Sequence, residues 1–276
     1  MSLNIAIIGH GFVGKAVDYG FPDSQCQKYI VDPKDGIDIT KLPTKMDFTF
    51  VCVPTPMGDD GSIDSSIIES VVFYLLENIN GVIIIKSTVT PAILKKFPDT
   101  RVVYNPEFLT EKSANEDFVN PFMHIFGGHP IYTKQVEELY KFYSICKPCP
   151  TFHMTNIEAS FVKYGINSFL ATKVLWFNQF YDIVHSENAN YGKIISAITT
   201  DSRVCRSHTT VPGFDGKRGY GGSCFPKDTI AFLKYSKNLK NDFSVLEKVI
   251  LENNKYRNRY KKDQREMEQN ISYESK

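Results

Sequence analysis

The run Gly9-His10-Gly11-Phe12-Val13-Gly14 constrains this chain most, because it closes a β-rich apolar stretch at 3–8 and opens a helical pattern. Glycines at this spacing are required where a strand turns sharply into a helix whose free N–H groups face an anion. The first permits the tight turn, the second lets backbone approach a pyrophosphate, and the third lets helix and strand pack closely. Asp32 ends the next strand-like run. A carboxylate there accepts hydrogen bonds from a ribose and repels a 2′-phosphate, which favours NAD over NADP, although Lys34 close behind would accept that phosphate. Gly9, Gly11, Phe12, Val13, Gly14, Asp32 and Lys34 are thus the candidate cofactor residues.

Further short β-rich runs stand at 28–31, 47–53, 82–86, 101–104 and 124–127, each bounded by Gly, Pro, Asn or Asp. Between two of them, 66–78 places Ile67, Ile68, Val71, Val72, Leu75 and Leu76 at helical spacing, one apolar face for a sheet, and 132–145 suggests another helix. Such alternation predicts an α/β fold whose N-terminal part is a Rossmann-like, doubly wound, mainly parallel sheet. After about residue 153 the strand signal stops, and a helical pattern without proline runs from 156 to 186. The expected organisation is a dinucleotide domain over 1–153 and a mainly helical domain over 154–252, built on that long central helix. A helix at 193–200, a glycine-rich loop at 212–222 and helices from about Pro226 and Asp242 complete it. From 253 to 276 the chain is dense in Lys, Arg, Glu, Asn and Gln and is expected to fray into solvent.

At 276 residues the length suits about two domains. Thirty-two Lys and Arg against 31 Asp and Glu give no footprint for nucleic acid or an anionic membrane as main partner, while allowing a local basic pocket for one phosphorylated ligand. No apolar run approaches the roughly 18 residues of a membrane span, and the N-terminus has no basic lead-in or small-residue cleavage site of a signal peptide. Six scattered cysteines in such a chain read as reduced thiols, which places it in the cytoplasm.

Gly221-Gly222-Ser223-Cys224-Phe225-Pro226-Lys227-Asp228 is the most informative stretch. Pro226 suits a first helical turn, so Cys224 would lie at a helix N-terminus with Lys227 near, and both features favour a thiolate. Cys224 is therefore the candidate nucleophile, with Asp228 four residues on, and Cys26, Cys52 and Cys205 read as buried structural thiols. Cys146-Lys-Pro-Cys149 lacks a second pair, and His153 alone does not complete a tetrahedral site, so no metal is expected. Cys52-Val53-Pro54-Thr55-Pro56 and Lys86-Ser87-Thr88 each follow a strand at the edge where doubly wound folds bind ligands, though each could be only a rigid turn. Lys163 and Asn167 share one helix face, which alone reads as a solvated polar stripe. Glu107 and Glu111 follow a strand and are equally an acid/base pair or a surface loop.

Together these residues resemble the UDP-glucose 6-dehydrogenases within the UDP-glucose/GDP-mannose dehydrogenase family. The resemblance runs in order through C-V-P-T-P at 52–56, K-S-T-V at 86–89, N-P-E-F-L at 105–109, K-Y-x-x-N-x-F-L at 163–170 and G-G-S-C-F-P-K-D at 221–228, about four fifths of the chain. It implies two NAD-dependent oxidations of the C6 alcohol of a nucleotide sugar to a carboxylate. Cys224 would trap the aldehyde as a thiohemiacetal that becomes a thioester, and Lys163 and Asn167 would stabilise the charged oxygen. Asp228 would act as base through a water, Glu107 would activate the hydrolytic water, and Thr88 would order it. Thr55 and Thr88 are implied near the nicotinamide, Lys227 at the NAD diphosphate, and Glu111 at cofactor or substrate. Phe108 and Leu109 beside Glu107 are implied at the substrate. The loop from Gly213 through Lys217 to Gly221 would cover the sugar phosphate, and Arg203 would reach the neighbouring subunit's substrate in a homodimer.

The sequence departs from the family pattern at Thr90-Pro91, where Pro-Val-Gly usually follows, and at Pro121-Phe122-Met123-His124, which lacks an Asp-Arg pair. Cys205 stands where a glycine is usual, and the second Rossmann-like domain that clamps the nucleotide is expected to be missing. Two other readings remain: a β-hydroxyacid-type dehydrogenase, which also pairs a glycine-rich NAD domain with Lys and Asn on a long helix, and a module that binds NAD or a nucleotide sugar without turnover.

Overall fold

In the computed structural model, which describes residues 3–110 and 112–273, the chain divides into two compact units. One contains the chain through Thr55 and residues 64–163; the other contains 56–63 and everything from Tyr164 on. The division falls inside the long helix rather than at 153/154, because the first turns of that helix pack with the sheet.

The first unit begins with β1 (Leu3–Ile8), α1 (Phe12–Gly20), β2 (Cys26–Val31), β3 (Lys45–Val51), α2 (Ser66–Asn78), β4 (Asn80–Ile85) and α3 (Pro91–Leu94). It continues with β5 (Val102–Tyr104), α4 (Ala114–Val119), β6 (His124–Gly127), α5 (Pro130–Tyr143), β7 (Thr151–Met154) and the start of α6 (Asn156–Ser186). The sheet order is β2-β1-β3-β4-β5-β6-β7, parallel throughout except for the antiparallel β5–β6 pair. The chain leaves β1 to one side for β2 and to the other for β3, so the crevice of a doubly wound sheet opens beyond the C-terminal ends of β1 and β3. Ile5, Ile7, Phe21, Phe50, Ile84, Val103, Phe126 and Tyr140 form the core of this unit, each buried apolar side chain contributing roughly 1.5–3 kcal/mol.

Two sequence readings shift here. β7, not expected, adds a seventh strand with an intermediate-exposed-exposed-intermediate burial pattern that carries no apolar alternation. In α2 the buried stripe is narrower than the apolar residues suggested: Ile68, Val72 and Leu75 are buried and Ile67 is exposed.

The second unit contains the remainder of α6, then α7 (Tyr191–Ile198), α8 (Phe225–Asn238), α9 (Ser244–Arg257) and α10 (Gln264–Glu268). α7 starts two residues before its expected place because the Asn190 side chain caps it, accepting the Lys193 N–H at 2.9 Å. Ala171, Leu175, Tyr220 and Val249 form a small core. Residues 253–273 do not fray: Asn253, Arg257, Glu266, Ile271 and Tyr273 are all buried, and the rest of the expected tail, 274–276, lies outside the described residues. Mostly polar side chains make that anchorage, with Ile271 and Tyr273 as isolated buried apolar residues, which is why a search for an apolar face missed it.

Candidate functional site

At the mouth of the β1–β3 crevice the first turn follows the geometry its glycines require. Gly9 has φ +88°, and a Cβ there would lie 2.8 Å from the Cys52 carbonyl oxygen; a Cβ on Gly14 would overlap the Gly9 carbonyl oxygen. At Gly11, the N-cap of α1, a Cβ would meet nothing within 4 Å, so the helix start is open to an anion. Asp32 Oδ2 accepts the His10 N–H at 2.7 Å and Oδ1 the Lys34 N–H at 2.9 Å. Burial would raise this carboxyl, but those two backbone hydrogen bonds and the neighbouring charges hold it below its ordinary value. An ionised carboxylate beside an open glycine turn suits a ribose, and these residues fit a dinucleotide.

The ends of β3 and β4 are tied together beside this turn. Thr55 Oγ1 donates to the Thr88 carbonyl at 3.0 Å and Ser87 Oγ to the Val53 carbonyl at 2.6 Å. The segment after β5 brings Glu107 to Lys163: Nζ is 2.5 Å from the Glu107 carbonyl oxygen and 3.1 Å from Oε1, while Oε2 accepts the Leu109 N–H at 2.6 Å. Lys163, 3% exposed, is thus no solvated stripe, and its ammonium also lies 5.2 Å from the Phe108 ring centroid. The same segment borders a cavity of about 250 Å³ lined by Lys86, Asn105, Glu107, Phe108, Leu109, Phe122 and His124 among others. Lys86 Nζ donates to Asn105 Oδ1 at 2.9 Å, an oxygen shared with Tyr140 Oη at 2.8 Å. Burial pulls the Lys86 ammonium down to about 8, against the opposing pull of Cys52 and Glu107. Glu111 lies outside the described residues.

In the second unit Asn167, one helical turn beyond Lys163 on α6, donates from Nδ2 to Asp228 Oδ2 at 2.6 Å. Lys227 Nζ bonds Asp228 Oδ1 at 2.7 Å. All three are buried, so the lysine expected at a diphosphate is ion-paired with the neighbouring carboxylate. Cys224 is the N-cap of α8, with Pro226 in the first turn as its sequence predicts. Its Sγ is 3.7 Å from Ser223 Oγ, and its carbonyl accepts the Asp228 N–H at 2.9 Å. The structure therefore gathers Glu107 with Lys163 in one unit, and Asn167 with Lys227, Asp228 and the Cys224 turn in the other.

Arg203 is exposed and grips its own Asp201, with Nη2 2.6 Å from Oδ2. Gly213 N–H donates to the Lys217 carbonyl at 2.8 Å, closing the glycine-rich loop on itself, and Lys217 Nζ reaches the Lys261 carbonyl at 2.9 Å. Cys26 and Cys52 are buried as expected, but Cys205 is exposed. It occupies a left-handed turn (φ +48°) that turns its thiol outward to Lys173 Nζ and Ser207 Oγ, each at 3.3 Å. Among the described residues no cluster of three or more His, Cys, Asp or Glu could hold a metal, and no helix is long and apolar enough to cross a membrane.

Sequence reading missed the residues that hold the glycine loop. Asn253 Oδ1 accepts the Tyr220 N–H at 2.8 Å, Arg257 Nη2 donates to the Gly219 carbonyl at 2.7 Å, and Glu266 Oε1 accepts the Gly222 N–H at 3.0 Å. The available signal was Asp263-Gln-Arg-Glu266, a capping-box pattern that forms as such.

A doubly wound sheet with a glycine-turn cofactor site, joined through a long helix to a helical unit, defines a two-domain class of dinucleotide-binding protein. Two family models match the chain: the NAD-binding domain of the UDP-glucose/GDP-mannose dehydrogenase family over 34–144 and its central domain over 157–255. The chain belongs to the UDP-glucose/GDP-mannose dehydrogenase family, and its sheet unit carries that family's NAD-binding domain. It is 33% identical over 239 residues to a UDP-glucose 6-dehydrogenase of Bacillus subtilis, covering 80% of this chain and 49% of that protein. The chain thus spans about half the length of the curated relatives it matches. A UDP-glucose dehydrogenase structure from Pyrobaculum islandicum superposes with a TM-score of 0.75 at 25% identity, covering 92% of this chain and 68% of that one. A 3-hydroxyisobutyrate dehydrogenase of Mycobacterium tuberculosis shares the fold, with a TM-score of 0.73 at 13% identity over 90% of this chain and 91% of that one.

Proposed function

We propose that the chain catalyses NAD-dependent oxidation of the C6 alcohol of a nucleotide sugar, UDP-glucose first among the candidates, in two steps to the carboxylate. The observation that carries this reading is Cys224 at the start of α8, beyond a braced glycine loop and one turn before the buried Asp228. A β-hydroxyacid-type alcohol oxidation has no use for a cysteine so placed.

Bound NAD supplies the hydride acceptor for each oxidation. Asp228, through a water, takes the hydroxyl proton as hydride leaves C6, and Lys227 and Asn167 fix the direction of its two oxygens. The Cys224 thiolate then adds to the aldehyde carbon, and the oxygen takes back the proton held at Asp228 through the same water, becoming the hydroxyl of a thiohemiacetal. As the second hydride leaves, the hydroxyl proton passes to the water at Asp228 and the centre becomes a thioester; water then attacks its carbonyl carbon, giving up its proton to Glu107, and the carboxylate and the Cys224 thiolate are released. Asn167 has a second amide N–H to offer the developing oxyanion, and Lys163 provides a positive charge there. Glu107, held by Lys163 and the Leu109 N–H, activates the hydrolytic water that Thr88 orders. Thr55, Thr88 and Lys227 serve the cofactor. Phe108, Leu109, Gly213, Lys217 and Gly221 serve the substrate, with Glu111 at either. The exposed Arg203 is offered to the substrate of a second copy in a homodimer, and a reducing cytoplasm keeps the thiol active.

Incubation with UDP-glucose and excess NAD tests this. Two NADH per sugar support the reading. One NADH supports a hydroxyacid-type oxidation instead, and none, with ligand-dependent thermal stabilisation retained, makes the chain a binding module.

A further inference from the structure

The segment that was expected to fray instead reaches the nucleophile's loop. Glu266 is 1% exposed, and its carboxylate accepts from three donors: Tyr273 Oη at 2.6 Å and Gly222 N–H at 3.0 Å on Oε1, and Asp263 N–H at 2.9 Å on Oε2. A carboxylate is costly to bury, so one retained here must be compensated by what it binds. Burial would raise the Glu266 carboxyl, yet the Tyr273, Asp263 and Gly222 bonds, aided by the Lys217 charge, hold it below its ordinary value. The group at the far end of this network is the N–H of Gly222, two residues before Cys224. Gly222 has φ +78°, a left-handed conformation that turns the chain toward the helix start at Cys224. Both Glu266 and Tyr273 lie past residue 255, where the family-matched segment ends.

We propose that Glu266, held in place by Tyr273, is a positioning residue for Cys224: its carboxylate fixes the Gly222 N–H and with it the turn that delivers the thiol to the N-terminus of α8. This deepens the proposed function, on which its kinetic consequence rests, while its structural consequence does not. A glutamine at 266 has one acceptor oxygen and an NH2 group, so it can satisfy either the Gly222 side or the Asp263 side but not both. Tyr273→Phe leaves the charge in place and removes only one donor.

The test is iodoacetamide labelling of the intact protein at pH 7.5, followed residue by residue by peptide mass spectrometry, with the exposed Cys205 as internal reference. Glu266→Gln is expected to slow Cys224 relative to Cys205 by about threefold or more, because a thiol displaced from a helix start loses its N–H stabilisation. Tyr273→Phe is expected to act in the same direction and less. In turnover with UDP-glucose, both variants lower kcat, Glu266→Gln by about tenfold, with KM within about twofold. A labelling ratio unchanged in both variants overturns the proposal, even if both melt earlier. Faster labelling in Glu266→Gln with none in Tyr273→Phe also overturns it, since that pattern is charge removal alone. If Glu266→Gln does not fold, Tyr273→Phe decides by the same ratio. A wild-type protein that makes no NADH refutes the proposed oxidation but leaves the labelling ratio to decide this inference.

Discussion

Asp228→Asn takes one negative charge out of a buried pair while keeping the side chain's shape. Lys227 Nζ stands 2.7 Å from Asp228 Oδ1, with side chains 6% and 2% exposed, so solvent does little to screen the change. An amide oxygen still accepts from Asn167, but the ammonium then faces a neutral group. Breaking a buried pair by removing one partner costs about 3–5 kcal/mol, because the remaining charge stays buried without compensation. At roughly 2–4 °C per kcal/mol for domains of 150–250 residues, the melting temperature should drop by about 6–20 °C. The single tryptophan, Trp176, belongs to the unit that holds the pair, so its fluorescence follows the melt there while circular dichroism follows the whole chain. Lys227→Met combined with Asp228→Asn removes both charges and should recover most of the loss, since exchanging a whole buried pair for neutral groups is often close to neutral. An Asp228→Asn melt within about 2 °C of wild type, or a double variant that loses the sum of both singles, refutes the reasoning.

Ser207 and Lys173 hydrogen bonds hold the exposed Cys205 thiol below its ordinary value, whereas burial pushes Cys52 up to about 12. Cys205 should therefore label well ahead of Cys52 and Cys26, and a peptide map with Cys52 first contradicts that. Burial, aided by the Lys86 charge, pulls His124 down to about 4. The unfolded chain, with histidine near 6.5, binds the proton first as pH falls, so stability drops between about pH 6.5 and 4 and levels off below; the total is about 3 kcal/mol. Urea titrations at several pH values should show that loss in wild type and a flatter profile in His124→Gln; an equally steep variant sinks the assignment. Gly14→Ala drives a Cβ onto the Gly9 carbonyl and should abolish thermal stabilisation by NAD, a result that wild-type-like stabilisation would overturn.

The parts of the fold legible in the sequence were those set by local rules. A glycine turn between strand and helix admits few alternatives, and a proline-free stretch with helical spacing gave α6 its observed ends. What could not be read depends on partners far along the chain. Polarity alone makes Lys163 and Asn167 a solvent face; they are buried because Glu107, 56 residues before Lys163, and Asp228, 61 residues after Asn167, meet them. β7 is an edge strand that buries little and so shows no alternation. The polar tail was misread because its anchorage rests largely on hydrogen bonding to loop backbone and on isolated buried residues such as Ile271, which form no apolar run. Cys205 looked like any core thiol until its left-handed turn faced it outward.

Covalent capture by Cys224 is the central claim, and Glu107→Gln offers the direct view of it by slowing hydrolysis of the thioester. The variant would be mixed with UDP-glucose and NAD, quenched in acid, and its intact mass and Cys224 peptide recorded. The account predicts an added mass equal to the oxidised nucleotide-sugar acyl group, carried on Cys224 and absent without NAD or in Cys224→Ser. Wild-type turnover to the carboxylate that persists in Cys224→Ser, with no adduct on Cys224 in Glu107→Gln, would contradict it.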